Sequence, residues 1–274
     1  MTRDEIIYSA EQFTLESPCN FVSEKVAMKP EYIGMKMFDS PIFAFGSAND
    51  ELYTKFKDPE VIGSHFLLPT EWLPAAKTVI SFFLPYTDRI KVANAFDYSW
   101  PAREWLHGRV EGQFFVKELT IHICMLLAET GYLGVAPSLD LRIRTGKPLG
   151  SDETTQDAFT SNWSERHAAF ACGLGTFGLS KGLITAKGVC GRFGSVLTDL
   201  ELEYDKRSYS GIDDYCTNCG ACILNCPVKA ISSEGKDDLS CSDFLDKVHS
   251  KHKPWYGCGK CQVGVPCESE APGA

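Results

Sequence analysis

The stretch YCTNCGACILNCPVKAI (residues 215–231) determines how the C-terminal part of this chain folds. Its cysteines follow the spacing C-x2-C-x2-C-x3-C-P, formed by Cys216, Cys219, Cys222, Cys226 and Pro227. This spacing is typical of bacterial-ferredoxin loops that bind 4Fe–4S clusters. Thiolates at steps of three let one tight loop hold three corners of a cube. Small residues such as Gly220 and Ala221 let backbone N–H groups approach the cluster sulfurs.

The fourth cysteine of this stretch predicts a second cluster. Cys226 lies one helical turn, about 6 Å, beyond Cys222, so we expect it to point away from the first three thiolates. The chain supplies further cysteines at Cys241, Cys258, Cys261 and Cys267. We assign one cluster to Cys216, Cys219, Cys222 and Cys267, and the other to Cys226, Cys241, Cys258 and Cys261. Structural zinc is the alternative, although zinc sites usually combine two cysteine pairs separated by a longer loop.

Composition narrows the class of protein. The chain has 274 residues, 44% of them hydrophobic, which is enough for one sizeable domain and a small one. Its net charge of −9 makes nucleic-acid binding unlikely, because such proteins usually present a basic face. Residues 1–13 do not resemble a secretory signal, and no apolar stretch reaches the roughly 18 residues of a transmembrane helix. We therefore expect a cytoplasmic protein without membrane contact, whose 12 cysteines bind metal rather than form disulfides.

Hydrophobic patterning ahead of the cysteines predicts an α+β body. Residues 76–87 (AKTVISFFLPYT) favour a buried strand, and residues 109–134 favour a long helix that ends at Gly131. A second helix is expected at 164–175 after a serine N-cap. Two further strands are expected at 132–137 (YLGVAP) and 194–204 (GSVLTDLELEY). Because the composition changes abruptly afterwards, we expect one domain at 1–205 and a ferredoxin-like domain at 206–274.

Residues 162–202 are unusually rich in glycine, which indicates that the backbone there lies close to a ligand or to another part of the protein. The segment GLGTFG (173–178) has the glycine spacing of a dinucleotide fingerprint, but it follows a helix and no βαβ unit surrounds it. Flexible turns are another alternative. The four cysteines outside the assigned sets are expected to be unreactive, mostly buried residues: Cys19, Cys124, Cys172 and Cys190.

The runs ACGLGTFGLSKGLIT (171–185) and GRFGSVLTDLEL (191–202), followed by the cysteines, resemble the family of epoxyqueuosine reductases and reductive dehalogenases. LSCSDFLDK (239–247) and YGCGKCQ (256–262) resemble their segments with the fifth to seventh cluster cysteines. The resemblance implies a nitroreductase-like domain, a mixed sheet flanked by helices, that holds cobalamin and receives electrons from two 4Fe–4S clusters. It further implies corrinoid contacts from Gly173, Leu174, Gly175, Thr176, Phe177, Gly178, Gly194 and Ser195.

The implied function is an iron–sulfur reductase that passes low-potential electrons to a bound corrinoid for reductive cleavage of a small substrate. Two alternatives stay open: a flavin-dependent reductase, and an electron-transfer protein that reduces a partner's corrinoid or flavin. Epoxyqueuosine reductases resemble one another in an aspartate six residues before the position of Glu165. Here that position is Phe159, and Asp157 is out of register. This departure and the acidic balance disfavour a tRNA substrate.

Reductive cleavage also needs a proton donor. The candidates are Tyr98, Arg103, His107, Glu165 and His167. Residues 97–108 (DYSWPAREWLHG) predict either a substrate lid or an ordinary surface loop. For His167, pairing with Glu165 on a helix face is the alternative to binding cobalt. The basic residues 247–254 indicate either a docking site for an acidic donor, such as ferredoxin or flavodoxin, or a solvated face.

Overall fold

The computed structural model describes residues 1–146 and 159–274 as a helix-and-sheet body followed by a cysteine-rich module. The helices are α1 (Arg3–Glu16), α2 (Glu51–Lys55), α3 (Pro69–Trp72), α4 (Asp88–Phe96), α5 (Arg103–Glu129), α6 (Glu165–Cys172), α7 (Ala221–Leu224) and α8 (Asp238–His252). The strands are β1 (Ile42–Ser47), β2 (Thr78–Pro85), β3 (Gly134–Val135), β4 (Gly175–Phe177), β5 (Leu183–Thr185), β6 (Gly191–Thr198), β7 (Ile231–Ser232) and β8 (Gly235–Lys236). Within the described ranges, no helix combines the length and apolarity needed to cross a membrane.

The body is built on a four-stranded sheet in the order β1-β2-β6-β3. Strand β2 is buried along its whole length, because β1 and β6 flank it and side chains cover both of its faces. Its continuous run of β-branched and aromatic residues suits this position. The α+β class is confirmed. The ladders of this sheet are antiparallel, which differs from the expected mixed arrangement, because no crossover helix brings two neighbouring strands into the same direction.

Alternate side chains of β2 enter two separate cores. Ile80, Phe82 and Leu84 belong to a core that also contains residues of α1 and α5. Val79 and Phe83 belong to a second core, which contains residues of α2, α3 and α6. Because successive side chains of a strand point to opposite faces, this alternation puts α5 on one side of the sheet and α6 on the other.

Helix α5 is longer at its start than its periodicity predicts. It begins at Arg103 and ends before Gly131, whose φ of +85° turns the chain. Its first turns use part of the 97–108 segment, so the prediction of a lid or surface loop is wrong for residues 103–108. Trp105 and His107 are buried there, because the cysteine-rich module covers them.

Strand β6 and helix α6 also differ slightly from their expected ends. The strand predicted at 194–204 starts at Gly191 and stops at Thr198, after which the Asp199 carboxylate accepts a hydrogen bond from Leu133 N at 2.8 Å. The expected helix at 164–175 is α6. Ser164 caps it, accepting from His167 N at 3.4 Å, and Gly173 ends it with a φ of +103°.

The cysteine-rich module packs against the N-terminal half of α5. Leu106 of this helix contacts Phe244 and the fully buried Val248 of α8. Trp255 donates a hydrogen bond from Nε1 to the Glu111 carboxylate at 3.0 Å. This packing joins the two parts of the chain, whereas the domain boundary near residue 206 stays a prediction.

The loop that carries Cys258 and Cys261 is tied to the body at three points. Asn94 Nδ2 donates to the Cys258 carbonyl at 3.0 Å, and Lys260 Nζ donates to the Asn94 carbonyl at 2.5 Å. Between them, the backbone of Gly259 lies against the indole of Trp105. A Cβ atom on Gly259 would stand 1.7 Å from that ring, so only glycine fits this contact.

Replacing Gly259 by alanine is expected to lower the free energy of unfolding by about 2–4 kcal/mol. Its φ of +65° opposes a side chain, and the added Cβ would collide with Trp105. Urea unfolding followed by tryptophan fluorescence measures the loss. Gly34→Ala is the matched control, since Gly34 has a φ of +76° but no atom within 4 Å of the added Cβ. Equal losses in the two variants would contradict a role for the Trp105 contact.

Candidate functional site

The first candidate site is a cavity lined by four cysteines: Cys216, Cys219, Cys222 and Cys267. Its loop curls tightly because Asn218 and Gly220 adopt left-handed backbone conformations, with φ of 53° and 74°. Helix α7 follows directly. Cys267 arrives from the C-terminal segment, where its carbonyl accepts a hydrogen bond from Val189 N at 2.9 Å. The body therefore holds the fourth ligand in position.

The second candidate site is a cavity of about 180 Å³ whose lining contains the other four assigned cysteines: Cys226, Cys241, Cys258 and Cys261. Cys226 follows α7, and Cys241 lies on α8. Residues of the body complete the wall, among them Tyr86, Trp105 and Gly191. This cavity thus lies between the module and the body. Cys222 and Cys226, four residues apart, line different cavities.

The thiols are divided between two cavities, four lining each. In residues 1–146 and 159–274, no three His, Cys, Asp or Glu side chains are close enough to hold one metal ion. A tetrahedral zinc site requires such convergence, since each thiolate binds the same ion at about 2.3 Å. In a 4Fe–4S cluster, each cysteine binds a different iron atom. Four thiols line each cavity, which is the number of ligands that one 4Fe–4S cluster requires.

Burial makes these thiols difficult to ionise on their own. It raises the pKa of Cys258 to about 11 and the pKa of Cys261 to about 12. The pKa of Cys267 is also raised to about 12, first by burial and then by the neighbouring cysteines. Metal coordination requires the thiolate, so a metal bound there would have to supply the compensating positive charge.

The glycine-rich segment 173–178 contacts other residues of the same chain. A Cβ on Gly175 would stand 1.9 Å from the carbonyl oxygen of Ile184, because β4 and β5 pair closely there. Thr176 is buried, and its hydroxyl accepts a hydrogen bond from Tyr215 N at 2.9 Å. Phe177 packs against His167, with ring centroids 4.9 Å apart. Gly178 lies beside the first cavity, with Cys216 Sγ 3.6 Å from its ideal Cβ position.

The remaining predicted corrinoid contacts are also filled by the protein. Gly173 is the C-cap of α6, and Leu174 belongs to the second core. Gly194 has the Phe82 ring 2.3 Å from its ideal Cβ position, and Ser195 is buried. The assignment of residues 173–178 and 194–195 to a corrinoid stays a prediction, since Gly173, Phe177 and Gly178 are only half-buried, whereas Gly175 and Gly194 face the chain itself. The close approach that their glycines indicate is real, but it is an approach to other parts of this chain.

The five predicted proton donors do not come together. Glu165 and His167 lie on α6, and the Glu165 Oε2 accepts a hydrogen bond from Ser195 at 2.6 Å. Ser164 Oγ, rather than Glu165, is the hydrogen-bond partner of the His167 ring, at 2.8 Å. Asp157 lies outside the described residues.

The other three candidates lie near the start of α5. Tyr98 is 68% exposed, and Arg103 is the first residue of the helix. His107 is fully buried and has structural partners. Its Nδ1 is 2.9 Å from Glu111 Oε2, and its Nε2 accepts from Met28 N at 3.2 Å. This network ties α5 to the module through Trp255.

Four cations around the second cavity were not expected from the sequence: Arg109, Arg192, Lys236 and Lys260. Two features of the sequence could have indicated them. Lys260 lies between two ligand cysteines, and Arg192 lies in the resembling run GRFGSVLTDLEL. Cys172 and Cys190 are buried outside both cavities, as expected for structural residues.

The sequence and fold have known relatives. Residues 211–232 match a family model described as a 4Fe-4S binding domain. A trichloroethene reductive dehalogenase of Dehalococcoides mccartyi is 35% identical over 28% of this chain and 14% of its own length. An epoxyqueuosine reductase of Vibrio cholerae is 32% identical over 39% of this chain and 31% of its own length. The matches thus span less than a third of these relatives.

Solved structures share the fold over most of the chain. A crystal structure of selenomethionine-labelled epoxyqueuosine reductase covers 97% of this chain with a TM-score of 0.54, 16% identity and 65% of its own length. A catabolic reductive dehalogenase covers 84% of it with a TM-score of 0.51, 15% identity and 30% of its own length. The cysteine module, the glycine-rich run and the shared fold agree. The chain is therefore similar in sequence to parts of epoxyqueuosine reductases and reductive dehalogenases, and it shares their fold.

Proposed function

We propose that this protein is an iron–sulfur reductase that holds two 4Fe–4S clusters and passes electrons singly from one to the other. The observation that carries the proposal is the division of eight cysteines into two sets of four, each around its own cavity. Cysteine-ligated clusters reach low reduction potentials, down to about −700 mV, which suits reductive cleavage. The names of the matched relatives, both reductases, support the reaction class.

The proposed electron route runs from the first cluster to the second. Cys219 of the first set is exposed, so an external donor can approach that cluster. Both sets lie against the body, but all four cysteines of the second set, Cys261 among them, are only partly exposed. Cys222 of the first set acts electrostatically on Cys261 of the second, which makes the two sites neighbours. Electrons that enter at the exposed Cys219 would thus reach the less exposed second set.

The identity of the electron acceptor is a separate question. The resemblance implies a corrinoid, but at least Gly175 and Gly194 of the eight residues expected to hold it face other parts of the chain, so we route no step through that group. The same packing favours a second candidate function, in which the chain reduces a corrinoid held by a partner. Flavin has no support among the relatives compared. Gel filtration with hydroxocobalamin separates the candidates: an enzyme retains the corrinoid, whereas a donor reduces it and releases it.

Glu165 is the proton-holding group that best suits a reductase. Burial raises its pKa to about 7, while hydrogen bonds to Ser195, Trp163 and Ser138 act in the opposite direction. Its Oε1 has no hydrogen-bond partner within the described residues. A carboxyl whose pKa lies near neutral pH can both hold and release a proton under physiological conditions. This combination supports Glu165 over the four other candidates.

Replacing Cys261 by serine is expected to remove about half of the bound iron. The intact chain, purified anaerobically, should hold about eight iron and eight sulfide per molecule, and the variant about four. Cys216→Ser should cause the same loss by removing the other cluster. Cys19→Ser is the control, because Cys19 lies outside both cavities. Zinc in place of iron, or no change in either variant, would contradict the two-cluster assignment.

The Glu165→Gln substitution is expected to change how stability depends on pH. Folding raises the Glu165 pKa from 4.5 to about 7, so folding favours the protonated carboxyl. Its stabilising contribution is complete below pH 4.5 and is lost as pH rises through about 7. The wild type should therefore lose about 3 kcal/mol relative to the variant over this range.

Urea unfolding at a series of pH values measures this difference. Glu16→Gln, an exposed position at the end of α1, provides the control. A constant difference between the wild type and Glu165→Gln across the range would show that Glu165 does not hold a proton near neutral pH.

A further inference from the structure

The two cavities differ sharply in charge. The described lining of the first consists of its cysteines and uncharged residues such as Leu179, Ser180 and Thr217. The second is lined by four cations: Arg109, Arg192, Lys236 and Lys260. No acidic side chain is among the described residues that line either cavity. The difference in charge between the two linings therefore comes from the cations of the second cavity.

Two of these cations are held rigidly. Lys260 is only 2% exposed, and Asn94 fixes its ammonium group through a carbonyl. Arg109 lies over the ring of Tyr256, with its guanidinium carbon 4.5 Å from the ring centroid. The charge of Lys236, whose side chain is 18% exposed, is partly offset by Asp238, whose Oδ1 lies 3.7 Å from Nζ.

Arg192 carries an unsatisfied donor. Its Nη2 donates to the side chain of Gln113, which fixes the guanidinium, but its buried Nε has no partner among the described residues. Burial and the nearby Arg109 lower the pKa of Arg192 to about 10, so it stays charged at neutral pH. A buried N–H without an acceptor is costly, and such a group in a native protein usually has a water, an ion or a cofactor as its partner. A cluster sulfur in the same cavity is an acceptor of the right kind.

We propose that the second cluster is the higher-potential member of the pair, because Arg192 donates an N–H···S hydrogen bond to it and the three other cations surround it. Reduction adds one negative charge to a cluster. Fixed positive charges and hydrogen-bond donors in a low-dielectric site stabilise the reduced form more than the oxidised form. No cation is among the described residues that line the first cavity.

This inference rests on the proposed two-cluster function and adds a difference in reduction potential that drives its electron route. An electron that enters at the exposed first cluster moves downhill to the second and rests beside the body. Arg192 thereby acts as a positioning and tuning residue, since it acts through the cluster rather than on a substrate. Arg192 lies on β6, a strand of the sheet in the body. A residue of the body therefore influences the reduction potential of the second cluster.

The test is an anaerobic redox titration of the fully loaded chain, followed by electron paramagnetic resonance. Cys216→Ser leaves only the second cluster and so identifies its signal. Arg192→Gln should lower the midpoint potential of that signal by at least 59 mV, a tenfold change in a one-electron equilibrium. Arg192→Lys should give a smaller shift, because it keeps the charge. Lys117→Gln, outside both cavity linings, should give none.

The outcomes separate this inference from the function on which it rests. An unchanged midpoint in Arg192→Gln, or a higher potential for the first cluster in the wild type, would overturn the inference while iron analysis still counts two clusters. Fewer than two clusters in the wild type would overturn the proposed function instead. If Arg192→Gln loses its second cluster, Lys236→Gln gives the same test, because its partly exposed side chain can be replaced without leaving a buried gap.

Discussion

The packing of the Trp105 indole against the backbone of Gly259 is the contact on which the arrangement of the two parts depends. Trp105 lies in the first turns of α5, and α5 is fixed against one face of the sheet by the core around Phe82. Gly259 lies between Cys258 and Cys261. The sheet therefore positions Cys258 and Cys261 in the second cavity indirectly, through α5 and the indole of Trp105. A side chain at position 259 would collide with that indole.

The sequence predicts a structural feature best when the residues that form the feature lie close together along the chain. The cysteine spacing at 216–226 is dictated by the size of a cube, so the ligand pattern is visible without a structure. Strand β2 was predictable because both of its faces are buried and its residues are uniformly apolar or β-branched. The start of α5 was not, since Trp105 and His107 look like loop residues until the module that covers them is present.

The glycine-rich run shows the limit of such inference. A glycine reports that something approaches the backbone closely, but not what approaches. At Gly175 it is a carbonyl of the neighbouring strand, and at Gly194 it is the Phe82 ring across the sheet. The cations of the second cavity were hidden for a related reason. Arg109, Arg192 and Lys236 come from three distant segments, so no local spacing announces them.

Charge balance links the assembly of the clusters to the folding of the chain. Without a cluster, the second cavity brings together thiols that burial keeps protonated and cations that repel one another, as the effect of Arg109 on Arg192 shows. Neither group has a counter-charge within the lining. An anionic cluster removes both conflicts at once, because iron stabilises the thiolates and the cluster charge attracts the cations. The closed arrangement of module and body is thus an arrangement suited to the loaded protein, and the residues that tune the cluster also depend on it.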